Sequence, residues 1–261
     1  MLLPNNLKRR IAARRLRTGP TIIQTDFLGC KMLVRPQEDV GRNMALGEFE
    51  TDDLQHFIGA VHPGDIVYDI GANVGAYCVP IAKAIGGARV FAFEPIELNA
   101  ALIRVSLLVN RLHNVELNRM CVSDVSGTVQ FSLAEDSAYS SMLDTGRKVE
   151  VEKLSCPAVS LDDFCADASH PPPNVMKIDV EGAELKVLEG AARLFEAEER
   201  RPKLVLIELY DQNLNAFGTS IDQILRRMTG WGYRAYVLVD GKAVSFATAH
   251  HNVHYNVFFT R

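Results

Sequence analysis

Five acids and two glycines set the chemistry open to this chain. In Asp69-Ile70-Gly71-Ala72-Asn73-Val74-Gly75 an acid precedes both glycines, and Glu94 follows Gly75 by 19 positions. Glycines at such a turn let the chain bend sharply from strand to helix and let a ligand come close to the backbone. An acid roughly 20 residues further on, at the end of a second strand, is placed to accept hydrogen bonds from ribose 2′- and 3′-hydroxyls. The pattern is D-x-G-x-x-x-G, not the G-x-G-x-x-G of dinucleotide sites. A carboxylate at this strand tip repels a pyrophosphate and suits a ligand bringing an ammonium and a sulfonium. Asp179, Glu181 and Glu208 close two later strands. One of these carboxylates can take a hydroxyl proton as general base. Alternatively two of them, Asp179 and Glu208, can hold a divalent ion such as Mg²⁺ that acidifies the hydroxyl.

The elements that must hold these residues follow from local sequence. Ile66 to Tyr68 is a β-prone run ending on Asp69, Ala76 to Ile85 is helix-compatible, and Arg89 to Phe93 is a second strand ending on Glu94. Strand, glycine turn, helix and parallel strand form a nucleotide-binding unit. Pro95 opens a helix to about Asn110, and Val115 to Val122 reads as strand three, ending at Ser123-Asp124. The turn after strand three lies beside the adenine in this architecture. Asp124 is therefore a candidate acceptor for the exocyclic amine, or a simple turn residue. Residues 127–160 break the alternating rhythm and read as a small β insertion with a loop over Ala138 to Gly146. Val175 to Ile178 is strand four before Asp179, and Leu204 to Ile207 is an apolar central strand before Glu208. Both ends face one crevice. Glu184 reads as a surface helical acid, Lys177 as a half-buried charge partner, and Glu50 as a solvated or capping acid. His250, His251 and His254 are reserve candidates for a base.

The chain of 261 residues suits one α/β domain with additions. We divide it into an N-terminal extension over 1–60, with a basic helix, a hairpin and a helix starting near Thr51, and a main domain over 61–261. The first 20 residues hold six basic side chains and no acid, leaving −10 for the remainder of a chain whose net charge is −4. An acidic body argues against a broad nucleic-acid surface. The basic start could touch an anionic membrane surface weakly. It lacks the apolar stretch of a secretory signal, and no apolar run is long enough for a transmembrane helix. Five scattered cysteines with no C-x-x-C read as reduced, so a cytoplasmic setting is expected.

VYDIGANVGAY, VFAFEPIELNAALIRVSLLVN, SLDDF and VMKIDVEGAELKVLEGA, in this order, resemble the FkbM-family methyltransferases over about Gly64 to Tyr210. The first segment is similar to motif I of class I S-adenosylmethionine (SAM) methyltransferases. The resemblance implies a Rossmann-like class I fold with a mostly parallel seven-stranded sheet and flanking helices. It also implies SAM as methyl donor and O-methylation of a sugar or natural-product hydroxyl. On this reading Asp69, Gly71, Ala72, Asn73, Gly75, Glu94, Pro95, Ser123 and Asp124 bind the cofactor, and Asp179, Glu181 and Glu208 serve catalysis. Two rivals stand beside it. An RNA or other nucleophile methyltransferase acting on exocyclic amines would carry N/D-P-P-Y/F after strand four, where this chain has Asp179-Val180-Glu181-Gly182. A SAM-binding module without turnover would not need acids at both later strand tips.

Overall fold

The computed structural model describes residues 5–247 and 254–261. The helices are α1 (Asn5–Thr18), α2 (Asp39–Leu46), α3 (Thr51–Gly59), α4 (Cys78–Ala84), α5 (Glu97–Asn110), α6 (Leu161–Phe164), α7 (Glu184–Glu189), α8 (Ala192–Glu196), α9 (Asp211–Ala216) and α10 (Ile221–Gly230). The strands are β1 (Ile23–Phe27), β2 (Cys30–Val34), β3 (Ile66–Ile70), β4 (Arg89–Phe93), β5 (Val115–Asn118), β6 (Cys121–Val122), β7 (Gly127–Ala134), β8 (Glu150–Val159), β9 (Val175–Ile178), β10 (Leu204–Tyr210), β11 (Arg234–Val239), β12 (Lys242–Ser245) and β13 (His254–Thr260).

Eight strands make the main sheet in the order β12-β11-β13-β10-β9-β3-β4-β5. The five from β10 to β5 are parallel neighbours, and β13 runs antiparallel between β10 and β11. Seven of these are the expected strands. The eighth, β12, extends the edge because the turn at Asp240-Gly241, with φ of 49° and 71°, folds the chain back on β11. The central strands carry near-continuous apolar runs because helices cover both faces; all four residues of β9 and four of the five in β3 are buried.

Three departures from the sequence reading bear on the site. The expected strand three is two strands: β5 ends in the main sheet at Asn118, and β6 pairs instead with β8 of a separate three-stranded sheet. The far side of the insertion, read as part of a small separate unit, is one ten-residue strand, β8, which pairs with β7 and also with β6 at the end of the expected strand three. Helix α2 was not foreseen. It has eight residues and closes on Gly47, whose φ of 71° gives the left-handed C-cap. At its base, a Cβ on Gly41 would lie 2.3 Å from the Arg35 carbonyl oxygen.

Residues 21–60 pack on the body. Phe27, Met32, Leu54 and Phe57 share one apolar cluster with Val67, Val90 and Ile103. The Leu33 N–H donates to Ser106 Oγ at 3.0 Å, and Asn110 Nδ2 to the Lys31 carbonyl at 2.7 Å, fixing β2 along α5. Among the described residues no helix is long and apolar enough to cross a membrane.

Candidate active site

The turn after β3 builds the nucleotide end. The Gly71 and Ala72 N–H groups both donate to the Phe93 carbonyl at 3.0 Å, tying the turn to β4. Gly71 has φ of +81°, and a Cβ there would stand 1.7 Å from the Asp179 carbonyl oxygen. The glycine therefore lets the β3 and β9 tips meet. Asn73, at φ of 49°, turns its side chain back to accept from the Val74 N–H at 2.8 Å. Its own N–H donates to Glu94 Oε2 at 2.9 Å. Glu94 Oε1 accepts from the Ile96 N–H at 2.9 Å and from Asn99 Nδ2 at 3.4 Å. Burial outweighs these donors and pushes the Glu94 carboxyl up to about 8.

The other end gathers the three later acids. Asp179, Glu181 and Glu208 offer carboxylate oxygens that all lie within 4.8 Å of one another. Parallel pairing of Ile207 with Ile178 brings the ends of β10 and β9 side by side. Two cations and an amide hold the cluster. Lys177 Nζ bonds Asp179 Oδ2 at 2.7 Å, Arg147 bonds Glu181 Oε2 at 2.7 Å, and Asn213 Nδ2 donates to the same Glu181 oxygen. The Arg147 guanidinium stacks over the Tyr139 and Tyr210 rings at 4.3 and 4.6 Å. Burial, and then the Glu208 and Asp179 charges, push the Glu181 carboxyl well above the usual range, with Arg147 opposing. Burial pulls the Lys177 ammonium down, but Asp179, Asp69 and Glu50 more than offset this and raise it. Glu181 stands at φ of 54° and Gly182 at 107°. Glu184 Oε1 accepts the Val180 and Gly182 N–H groups at 3.2 and 3.0 Å and holds that turn.

One cavity of about 900 Å³, part of it open to solvent, joins the two ends; Gly71, Ala72, Asn73, Glu94, Pro95, Asp179, Glu181 and Glu208 all line it. Four expected cofactor residues do not. Asp69 is buried, and its Oδ2 accepts from the Cys78 N–H at 2.9 Å, bracing the start of α4 instead of facing a ligand. Burial raises its carboxyl, against Lys177 and that N–H. A Cβ on Gly75 would meet Val79 and Ile103, so this glycine serves helix packing. Ser123 is buried and donates to Asp124 Oδ1 at 2.8 Å, while Asp124 pairs with Lys186 at 3.1 Å. The switch of strand three between sheets moves both away; Met120, Cys121 and Val122 line the cavity in their place.

Other residues differ from their sequence reading. Lys177 and Glu184 are buried, not half-buried and surface. Glu50 lines the cavity and accepts from the Tyr77 hydroxyl at 2.9 Å. Tyr77, Arg147 and Asn213 escaped notice because their partners lie 27 to 34 positions away, beyond any local pattern. His250 and His251 lie outside the described residues, as does the side chain of His254.

A family profile described as the methyltransferase FkbM domain matches residues 69–235. The hexuronic acid methyltransferase AglP of Haloferax volcanii is 27% identical over 202 residues, spanning 75% of this chain and 78% of that protein. The 31-O-demethyl-FK506 methyltransferase FkbM of Streptomyces tacrolimicus is 25% identical over 191 residues, spanning 60% and 70%. The 2-O-methyltransferase NoeI of Sinorhizobium fredii is 24% identical over 166 residues, spanning 58% and 66%. Among solved structures, Trm5b of Pyrococcus abyssi superposes with a TM-score of 0.51 at 14% identity, over 92% of this chain and 56% of that one; this likeness concerns the fold alone. The family profile covers well over half of the sequence and both ends of the cavity, so the chain belongs to the FkbM methyltransferase family and is a SAM-dependent methyltransferase of class I fold.

Proposed function

We propose that the protein methylates a hydroxyl of a saccharide or natural-product acceptor, with the reacting atoms at the acid cluster. One observation carries this reading: a single cavity has Glu94 at one end and Asp179, Glu181 and Glu208 at the other. SAM with its ribose on Glu94 and its methionyl part along Gly71 to Asn73 would present its methyl group toward the cluster. The names of AglP and NoeI, a hexuronic acid methyltransferase and a 2-O-methyltransferase, support an oxygen acceptor of sugar type. An acidic body supports a small acceptor over a nucleic acid.

In the reaction the acceptor oxygen displaces the sulfonium in line. The new O–C bond forms as the methyl–sulfur bond breaks, and the hydroxyl proton passes to a carboxylate. Asp179 is the base in this account, because its ion pair with Lys177 at 2.7 Å holds the carboxylate fixed at the cluster. Glu181, held by Arg147 and Asn213, and Glu208 accept from further acceptor hydroxyls. A second reading has Mg²⁺ on Asp179, Glu181 and Glu208, favoured by their all-oxygen donor set within 4.8 Å. The ion would acidify the acceptor hydroxyl. The deciding experiment is a labelled-methyl screen against uronic acids, deoxysugars, neutral glycosides and polyketide alcohols, with and without EDTA. Incorporation into a hydroxyl is expected. Loss with EDTA and rescue by Mg²⁺ selects the second reading, and label entering RNA but no hydroxyl compound refutes both.

A further inference from the structure

Two segments outside the β3–α4–β4 unit roof the cofactor cavity. Val40, Phe49 and Glu50 come from the N-terminal segment, and Phe131, Ser137 and Ala138 from the insertion. The two segments are bonded to each other. The Ser137 N–H and hydroxyl donate to Glu38 Oε1 and Oε2 at 3.2 and 2.9 Å. The Asp39 N–H donates to Asp136 Oδ2 at 2.8 Å, and the Tyr139 hydroxyl to Asp39 Oδ2 at 2.6 Å.

From this joint a buried polar chain runs inward. The single Ser137 hydroxyl proton is shared with Asn99 Oδ1 at 3.3 Å, and Asn99 Nδ2 donates to Glu94 Oε1 at 3.4 Å. Glu38, Ser137, Asn99 and Glu94 are all buried. A carboxylate buried as deeply as Glu38 is costly to desolvate, so a polar chain of this kind is stable only when its members satisfy one another. Arg35, at 2.5 Å from Glu38 Oε1, supplies the balancing charge. The inward chain from Glu38 to Glu94 makes no bond to the acid cluster, which the joint meets only where the Tyr139 ring lies under Arg147.

We propose that Glu38 is a positioning residue for the cofactor: through Ser137 and Asn99 it fixes the Glu94 carboxylate at the ribose. The N-terminal segment and the insertion then act as one roof, and ribose recognition depends on Glu38 and Asn99, neither of which lines the cavity. The inference rests on the reading of Glu94 as the ribose acceptor, so the test separates the two. The probes are S-adenosylhomocysteine and its 2′-deoxy analogue, with dissociation constants measured by calorimetry. Wild type should prefer the ribose form about 10-fold or more, the worth of one hydrogen bond to a charged group. Glu94→Ala should abolish that preference. Glu38→Gln and Ser137→Ala should each reduce it to about 3-fold or less, and Ser137→Ala removes only a hydroxyl if Glu38→Gln folds poorly. Tyr139→Phe, which cuts one bond between the same segments without reaching Asn99, should keep the full preference. A fold brace alone would lower stability in all three and leave the ratio intact. If Glu94→Ala keeps the preference, the ribose reading fails and this inference with it. If Glu94→Ala loses it while Glu38→Gln and Ser137→Ala keep the wild-type ratio, or Tyr139→Phe loses it equally, the route through Asn99 is overturned.

Discussion

Replacing Lys177 with Met removes a cation buried beneath the acid cluster while keeping a long unbranched side chain. Its ammonium lies 2.7 Å from Asp179 Oδ2 and 4.8 Å from the Tyr77 ring centroid, with 5% of the side chain exposed. At an effective dielectric of 20 the gross attraction at that separation is about 6 kcal/mol. Desolvation of the pair offsets part of it, and removing one partner of a buried pair typically costs about 3–5 kcal/mol. That is a large share of an ordinary domain's stability of about 5–15 kcal/mol. Urea unfolding should show the loss as a lower midpoint with unchanged slope. The pH dependence has a definite sign. Burial already raises Asp69, with Lys177 opposing. Without the ammonium Asp69 rises further, and acid pH relieves the strain by protonating it. The deficit should therefore be larger at pH 8 than at pH 5. A deficit under about 1 kcal/mol, or one equal at both pH values, would refute the description of Lys177 as the counter-charge for this pair.

Gly71→Ala should weaken SAM more than 10-fold: its Cβ would lie 1.7 Å from the Asp179 carbonyl oxygen at a φ of +81°, a conformation that alone costs about 1–2 kcal/mol. A folded variant with wild-type affinity contradicts the placement of the loop. Ribose hydroxyls favour the charged form of Glu94, whose carboxyl is pushed up to about 8 in the free protein, so SAM binding should strengthen as pH rises toward 8 and release a proton at pH 7. Calorimetry in buffers of different ionisation enthalpy measures that proton, and none released argues against the ribose contact. The same raised pKa means that Glu94's contribution to the free protein's stability is complete below about pH 4.5 and is lost as pH climbs through about 8. Glu184→Met should cut turnover about 10-fold or more with SAM affinity kept, because the Val180 and Gly182 N–H groups lose their acceptor, while Glu184→Gln should retain most of it. Equal turnover in both variants sinks that role.

The acids at the strand tips were legible because each follows a β-prone apolar run, and the strand run gives the sheet's core arrangement with it. What could not be read locally is where a side chain points once the strands are assembled. Asp69 is the penultimate residue of β3, so it shares a face with Lys177 on the neighbouring strand and reaches the first turn of α4 instead of the cavity. Val115 to Val122 looks like one strand, yet its last residues find a better partner in β8, and Ser123 and Asp124 leave the adenine side with them. Glu184 sits at the first position of a helix, normally an exposed place, and is buried because the turn at Glu181 folds over it. Arg147 meets Glu181 across 34 positions, from the end of the small, polar loop between the insertion's two strand-like runs, where no periodic signal marks it.

The central claim is that methyl transfer takes place at the Asp179 end of the cavity, and single-turnover transfer from labelled SAM by Asp179→Asn tests it most directly. The substitution keeps the size and removes the charge 2.7 Å from Lys177. On an acceptor found by the screen, the rate of the chemical step should fall by about 10²–10⁴, the usual worth of a positioned proton acceptor. SAM affinity should stay within about threefold, because nucleotide recognition lies at Glu94. A rate within about twofold of wild type, in a variant that binds SAM normally, would contradict the assignment and place the proton acceptor elsewhere.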